Sequence, residues 1–192
     1  MRIGIFGGSF NPIHNGHIAL GTSMLSAMSL YEVWYLVSPQ NPLKRTSAEL
    51  IDETLRLRLV EAALDDHPHL VASDYEFHLQ RPSYTWNTLN HLRKDYLQHQ
   101  FVLIIGGDNL ANFLRWAHHD DIIADYEIAV YPRSNSDIPE WVKSHDNIKV
   151  IDVPLVDISS TQLRQMIRSG EDVSPYMPSK VVSEVEKLSL YR

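Results

Sequence analysis

The fold is decided by residues 2–17, which read RIGIFGGSFNPIHNGH. Residues 2–6 are mostly apolar, as strands buried on both faces of a sheet tend to be. Gly7 and Gly8 follow directly, and a helix is predicted to begin near Ile18. A strand, a glycine turn and a helix in this order place the turn at the carboxyl edge of a doubly wound sheet, where such folds bind ligands.

Strand and helix patterns alternate along the rest of the chain. Apolar stripes at helical spacing separate the strand patterns, and one of them follows Asp52, a suitable N-cap. The alternation predicts an α/β fold with a Rossmann-like, doubly wound, mainly parallel sheet and helices on both faces. Residues 1–192 are predicted to form a single domain on which a C-terminal helical part, about residues 158–192, packs. Residues 132–147 are predicted to form a loop between two strands. Strands are predicted over residues 2–6, 32–37, 70–72, 100–105, 127–131 and 148–153.

The composition limits the classes of function. The 192 residues are 44% hydrophobic and 21% charged, which suffices for one domain with its own core. The chain has no cysteine, which excludes thiolate catalysis, disulfides and cysteine-ligated metal centres. Its formal charge of -7 argues against a broad basic surface, so no nucleic-acid partner is expected. A local cluster of cations can still bind an anionic small molecule.

The sequence gives no indication of a membrane or of export. The longest wholly apolar run covers residues 101–105, whereas about 20 residues are needed to span a bilayer. The N-terminus enters a strand pattern without the apolar core of a signal peptide. We therefore expect a cytoplasmic protein without a membrane partner, and the sequence leaves a homo-oligomer open.

The turn after the first strand has the features of a phosphate cradle. Gly8 lacks a Cβ, so backbone N–H groups there can approach an anion, and the helix that follows adds a favourable dipole. The turn is not a Walker P-loop, because the chain has no Gly-Lys pair, and Gly4, Gly7 and Gly8 do not have the spacing of a GxGxxG turn. His14 and His17 could donate hydrogen bonds to phosphoryl oxygens. From the residues alone, a capping role for His14 and an ordinary helical position for His17 stay open.

Two motifs together resemble one superfamily. The run GSFNPIHNGH at residues 8–17 resembles the HxGH signature of nucleotidyltransferases that adenylylate or cytidylylate small phosphorylated molecules. The run ISSTQLR at residues 158–164, which has the spacing of a capping box, resembles their ISSTxxR element. The resemblance implies that the backbone of Ser9 and Phe10 supports ATP binding. It further implies that Ser159, Ser160 and Arg164 hold ATP phosphates beside His14 and His17.

The middle of the chain resembles bacterial nicotinate mononucleotide adenylyltransferases. The landmarks are RPSYT at 81–85, IIGGD at 104–108 and Trp116. The resemblance implies that the tryptophan stacks on the pyridine ring, and such stacking suits a flat heterocycle. It implies that the segment Ser83, Tyr84 and Thr85 binds the nicotinate end. Asp108, after Gly106, could accept hydrogen bonds from ribose hydroxyls, and a helix N-cap is the alternative for that residue.

Two further cations follow from the same resemblance. Lys44, in SPQNPLK, matches a lysine that meets the mononucleotide phosphate, although Leu43 stands where the family usually has histidine. Arg133, in YPR, matches an arginine near the adenine. The run His118-His119-Asp120-Asp121 is not predicted to bind a metal, because adjacent side chains on a helix diverge.

The resemblance implies adenylyl transfer from ATP to nicotinate mononucleotide in NAD biosynthesis, which yields nicotinate adenine dinucleotide and pyrophosphate. His14, His17 and Arg164 are the implied catalytic residues, and no protein metal site is expected. Mg²⁺ is the expected cofactor, bound mainly through ATP phosphates. Alternatives are transfer to nicotinamide mononucleotide or to another phosphorylated acceptor, and a non-catalytic nucleotide sensor. The residues implied for ATP are Gly8, Ser9, Phe10, His14, His17, Gly106, Asp108, Arg133, Ser159, Ser160 and Arg164, and those for the acceptor are Lys44, Ser83, Tyr84, Thr85 and Trp116.

Overall fold

A computed structural model describes residues 1–40, 49–132, 138–154 and 158–192. Its strands are β1 (Arg2–Gly8), β2 (Glu32–Val37), β3 (Leu70–Ser73), β4 (Gln100–Gly106), β5 (Glu127–Tyr131) and β6 (Ile148–Val150). Its α-helices are α1 (Asn15–Ala27), α2 (Glu53–Leu64), α3 (Thr85–Asp95), α4 (Gly107–Leu110), α5 (His119–Asp125), α6 (Ser160–Ser169) and α7 (Ser179–Lys187). Short 3-10 turns cover Tyr75–His78, Phe113–Arg115 and Glu140–Ser144.

The six strands form one sheet in the order β3-β2-β1-β4-β5-β6. Every neighbouring pair is parallel, and Ile5 of β1 lies between Trp34 of β2 and Leu103 of β4. The chain winds outward from β1 to β3 and then returns to β4, so the order reverses between β1 and β4. This reversal is the switch point at which doubly wound sheets bind ligands, and it confirms the predicted fold class.

Alternate side chains of the sheet enter two separate cores. In β4, Val102 and Ile104 pack in one core, whereas Leu103 and Ile105 pack in the other. The first core contains buried residues of α1, α2, α6 and α7, and the second contains those of α3, α4 and α5. Helices therefore cover both faces, and Leu163 and Val181 of the C-terminal helices belong to the first core.

Two element boundaries differ from the sequence prediction. Helix α1 begins at Asn15, earlier than Ile18, because the His14 N–H donates a hydrogen bond to the Nδ1 of His17 (3.2 Å) and starts the helix there. The strand predicted over 148–153 ends at Val150. Its neighbour β5 ends at Tyr131, and Pro132 has no N–H with which to continue the ladder.

Other predictions of local structure are confirmed. The side chain of Asp52 caps α2 by accepting a hydrogen bond from the Thr54 N–H at 2.8 Å. The region predicted as a loop over 132–147 contains the 3-10 turn at Glu140–Ser144, and residues 133–137 lie outside the described part. Within the described ranges, no helix has both the length and the apolar character needed to cross a membrane.

Candidate active site

The glycine turn lies where the sheet reverses its order. Strand β1 ends at Gly8 and the neighbouring β4 ends at Gly106, so both predicted glycines lie at the carboxyl edge of the switch point. A Cβ on Gly8 would lie 2.9 Å from the ring of Phe10, and therefore a larger residue would displace that ring. Phe10 itself is buried and has a left-handed backbone, with φ of 43°. The turn is thus packed inward on its aromatic side chain.

The two predicted catalytic histidines lie against each other at the start of α1. Their ring centroids are 3.7 Å apart, and His14 is the more buried of the two. Because the Nδ1 of His17 accepts the His14 N–H, the neutral imidazole of His17 carries its proton on Nε2. Phe10 packs edge-on against the His17 ring, with centroids 5.2 Å apart. The arrangement fixes one tautomer and makes Nε2–H the hydrogen-bond donor of this histidine.

Helix α6 brings a third predicted catalytic residue to the same turn. The Ser160 hydroxyl donates to the Pro12 carbonyl (2.8 Å), and the Arg164 Nη1 donates to the Asn11 carbonyl (2.9 Å). The Ser159 hydroxyl accepts from the Gln162 N–H (3.2 Å), while the Gln162 Oε1 accepts from the Ser159 N–H (2.8 Å), so the predicted capping box is confirmed. Hydrogen bonds between distant parts of the chain thus hold His14, His17 and Arg164 around residues 11–17.

The Arg164 guanidinium is paired with a carboxylate in this structure. Its Nη2 lies 2.8 Å from the Glu49 Oε2, and the Arg168 Nη2 lies 2.9 Å from the Glu49 Oε1. Hydrogen bonds from these two arginines lower the pKa of Glu49, so the carboxylate is held in its charged form. A phosphate that binds the same Arg164 nitrogen must compete with Glu49 for it.

Arg56 is a buried cation that contacts the turn and that the sequence did not predict. Only 1% of Arg56 is exposed. Its Nη1 donates to the carbonyls of Ser9 (2.7 Å) and Ser38 (2.8 Å), and its Nε donates to that of Ile51 (3.0 Å). Burial lowers the pKa of Arg56, although guanidinium starts so basic that it stays charged. The sequence did contain a signal for its burial, because Arg56 lies three residues before Leu59 and so on the same buried face of the helix.

The predicted acceptor segment lies at the start of α3. Tyr84 is its N-cap residue and Thr85 its first residue, and the Ser83 N–H donates to the Gln40 carbonyl beyond β2 (3.3 Å). Beneath the segment lies the buried Glu76, whose Oε1 accepts from the Thr88 hydroxyl at 2.9 Å. Burial raises the pKa of Glu76, while hydrogen bonds from Thr88, Ser38 and Ser83 act in the opposite direction. This acid therefore ties α3 to the end of β2.

Trp116, the predicted stacking residue, follows the 3-10 turn Phe113–Arg115. Its ring lies 5.1 Å from that of Phe113, and its buried Nε1 has no hydrogen-bond partner among the residues that the structure describes. Trp86, beside Thr85, stacks on His118 with centroids 5.6 Å apart. This contact brings the chain around Trp116 next to the start of α3, although no described contact joins Trp116 itself to Ser83, Tyr84 or Thr85.

The remaining predicted residues are only partly placed. Asp108 lies in the first turn of α4 with Gly106 as the N-cap residue, so the alternative of Asp108 as N-cap is wrong. Asp108 is exposed at the carboxyl edge of β4, and its role toward the ribose stays a prediction. Lys44 and Arg133 lie outside the described residues, and their roles stay predictions.

The strand order and the histidine turn at its switch point define a nucleotide-binding α/β protein of the Rossmann-like class. Residues 5–166 match the family described as Cytidylyltransferase-like. A protein of Cytophaga hutchinsonii named "Probable nicotinate-nucleotide adenylyltransferase" is 44% identical over 192 residues, 100% of this chain and 97% of that protein. A protein of Bacteroides thetaiotaomicron with the same name is 44% identical over 181 residues, 94% of this chain and 89% of that protein. The chain therefore belongs to the nicotinate-nucleotide adenylyltransferase family, as its motifs indicate.

Solved structures of low sequence identity share the whole fold. The Plasmodium falciparum nicotinic acid mononucleotide adenylyltransferase complexed with NaAD superposes with a TM-score of 0.84 at 19% identity, covering 99% of this chain and 97% of that one. The same Plasmodium enzyme complexed with APC gives a TM-score of 0.82 at 18% identity, covering 99% and 96%. At these identities the likeness demonstrates the fold alone.

Replacement of Arg56 tests whether the buried cation holds the turn. Arg56→Met keeps most of the apolar stem but leaves three carbonyls without their donor, so we expect the free energy of unfolding to fall by about 3 kcal/mol. Arg58→Met, on the same helix, removes only the half-exposed pair with Glu184 and should cost less than about 1 kcal/mol. Urea unfolding of both variants measures the difference. Equal losses would show that Arg56 has no special role.

Proposed function

We propose that this chain transfers the adenylyl group of ATP to nicotinate mononucleotide, with nicotinate adenine dinucleotide and pyrophosphate as products. One observation carries the proposal. His14, His17 and Arg164, which are distant in sequence, converge on one turn at the switch point of the sheet. The full-length likeness to relatives named for this activity supports the choice of reaction.

The chemistry needs no nucleophile from the protein. A phosphate monoester has a second pKa near 6, so the acceptor phosphate is largely ionised at neutral pH and can attack the α-phosphorus of ATP in line. The P–O bond to pyrophosphate breaks as the new bond forms, and the departing anion carries the developing charge. The protein contributes by positioning two anions and by donating hydrogen bonds to that charge.

The proposed roles follow the geometry of the turn. The Nε2–H of His17 is a fixed donor for a phosphoryl oxygen, and His14 lies against it as the second imidazole. Arg164 would neutralise the leaving pyrophosphate after exchanging Glu49 for it. In this proposal the other ATP contacts are Gly8, Ser9, Phe10, Gly106, Asp108, Arg133, Ser159 and Ser160, and the acceptor contacts are Lys44, Ser83, Tyr84, Thr85 and Trp116.

Mg²⁺ is the proposed cofactor. Within the described ranges there is no group of three or more histidine or acidic side chains that could hold a metal ion. In the proposal Mg²⁺ takes most of its ligands from phosphate oxygens and water, and Asp108 is an exposed carboxylate at this edge that could add one. When bound, the ion would screen the charge of the ATP phosphates.

The acceptor decides between the proposed reaction and its alternatives. We expect pyrophosphate release from ATP and Mg²⁺ to be fastest with nicotinate mononucleotide, slower with nicotinamide mononucleotide and negligible with phosphopantetheine. Release is followed with a coupled phosphate assay, and the dinucleotide product is identified by mass. A preference for the amide would reassign the acceptor. Tight ATP binding without release from any of the three would indicate a nucleotide sensor.

His17→Ala tests the catalytic assignment. The variant loses the Nε2–H donor while the surrounding aromatic core remains, so we expect kcat to fall by about 100-fold or more with the fold retained. His91→Ala, at an exposed position of α3, is the matched control and should keep the activity of the unmodified chain. Circular dichroism and thermal melting check the fold. A folded His17→Ala variant with full activity would refute the assignment.

Glu49→Gln tests the competition at Arg164. The neutral amide cannot form an ion pair with the Arg164 guanidinium, so ATP phosphates should displace it more easily. We therefore expect the KM for ATP to fall roughly twofold or more. Glu140→Gln, at an exposed carboxylate that pairs with Lys143, is the control and should leave KM unchanged. Initial-rate kinetics at varied ATP decide the matter. An unchanged KM in Glu49→Gln would mean that Arg164 binds phosphate without leaving Glu49.

A further inference from the structure

We propose that Tyr35 is a positioning residue for His17, and that Gly21 stands in α1 to admit the Tyr35 hydroxyl. The role concerns the reaction proposed above and therefore rests on that function. It assigns a specific task to Tyr35 of β2 and to Gly21 on the buried side of α1, neither of which lies in the turn after β1.

The contact is a hydroxyl placed against the backbone of a helix. Tyr35 lies in β2 with 0% of its surface exposed, and its Oη donates to the His17 carbonyl oxygen at 2.8 Å. A Cβ on Gly21 would lie 2.0 Å from the Tyr35 Oη, well inside contact distance. No residue other than glycine therefore fits at position 21 while the hydroxyl is there.

His17 and Gly21 are the two partners of one helical hydrogen bond. In an α-helix the carbonyl of residue i accepts from the N–H of residue i+4, and His17 and Gly21 have that spacing. The Tyr35 hydroxyl donates to the carbonyl of this pair and lies only 2.0 Å from the place that a Cβ on Gly21 would take. Glycine lowers helix stability relative to alanine, so its presence in the middle of α1 requires a compensating contact. The Tyr35 hydroxyl, which donates to the His17 carbonyl and occupies the space beside Gly21, is such a contact.

A second route joins Tyr35 to the His17 imidazole. The Tyr35 ring lies 5.3 Å from that of Phe6 and 5.5 Å from that of Phe10. The same two phenylalanine rings contact the His17 ring, at 6.0 Å and 5.2 Å. Tyr35 therefore supports His17 at the backbone through a hydrogen bond and at the side chain through two aromatic neighbours. Since misplacement of a catalytic group by about 1 Å can cost 100-fold in rate, such support bears directly on turnover.

The hydroxyl is suited to a permanent role as a donor. Burial raises the pKa of Tyr35 far above its ordinary value, and the backbone of Gly21 only partly opposes this. The phenol thus stays protonated wherever the protein is folded. The bridge to the His17 carbonyl is consequently independent of pH in the working range.

Three variants separate positioning from stability. Tyr35→Phe removes the hydroxyl and keeps the ring, Gly21→Ala introduces the clash, and the double variant places the new methyl group where the hydroxyl was. We expect Gly21→Ala to melt at the lowest temperature and the double variant to recover most of that loss. We expect kcat to fall about tenfold in Tyr35→Phe and to stay equally low in the double variant, while the KM for ATP changes little.

Tyr126→Phe is the matched control, because Tyr126 is a buried tyrosine of the opposite core whose hydroxyl meets Asn90. It should keep the kcat of the unmodified chain. A role in stability alone predicts instead that kcat follows the melting temperature through the whole set. Recovery of both stability and kcat in the double variant would therefore overturn the proposal.

A readout without substrate completes the test. Histidine labelled with 15N reports the tautomer and surroundings of His17, and Tyr35→Phe should shift its imidazole resonances while Tyr126→Phe does not. Unshifted resonances together with full kcat in Tyr35→Phe would refute the positioning role. If the unmodified chain releases no pyrophosphate with any acceptor, the proposed reaction fails, and the resonances still show whether Tyr35 positions His17.

Discussion

The structure depends on how the turn after β1 is held against the sheet. This turn leaves the sheet at its switch point, so its carbonyl groups cannot be satisfied by ladder hydrogen bonds alone. The buried guanidinium of Arg56 binds the carbonyl of Ser9 in the turn and that of Ser38 at the end of β2. Ser160 and Arg164 bind the carbonyls of residues 12 and 11 from the other side. The backbone of the turn is thus fixed by side chains from two helices that follow it much later in the chain, which makes the position of His14 and His17 a property of the tertiary fold.

The net charge of the chain explains why anionic substrates must be attracted by short-range contacts. The chain carries a formal charge of -7, so its long-range field repels the two anionic nucleotides of the proposed reaction. Attraction must come from donors within hydrogen-bond distance, where low dielectric and fixed geometry outweigh the field of the whole molecule. Neutral imidazole donors and backbone N–H groups suit that task, because they supply partial positive charge without the cost of burying further unpaired cations. Arg56 is tolerated in the interior because three carbonyl oxygens take the place of water around it.

The sequence was most informative where a single segment determines its own structure. The alternation of apolar strand patterns with helical stripes was enough for the class of fold, and capping residues such as Asp52 and Ser159 marked helix starts because their hydrogen bonds are local. The predicted end of β6 was wrong because Pro132, which directly follows the partner strand β5, has no N–H with which to continue the ladder. Arg56 and Tyr35 were missed for a related reason. An arginine in a helix usually reaches solvent, and a tyrosine in a strand usually only packs against its neighbours. Only the assembled fold shows that Arg56 contacts the backbone of the turn after β1 and that Tyr35 contacts the backbone at the start of α1.

The pairing of Arg164 with Glu49 follows from the cost of leaving a poorly solvated charge without a partner. Arg164, which is aimed at the proposed phosphate site, would be a poorly solvated charge if it had no partner, since its side chain is only 11% exposed. Glu49 is 42% exposed and its carboxylate also pairs with Arg168, whereas Arg164 is held in addition by the Asn11 carbonyl. The two partners are therefore unequal: one is anchored to the turn and the other is a surface carboxylate. An anion that replaces Glu49 meets an arginine already oriented by the backbone beside His14, so the reorganisation needed for binding falls mainly on the carboxylate that departs.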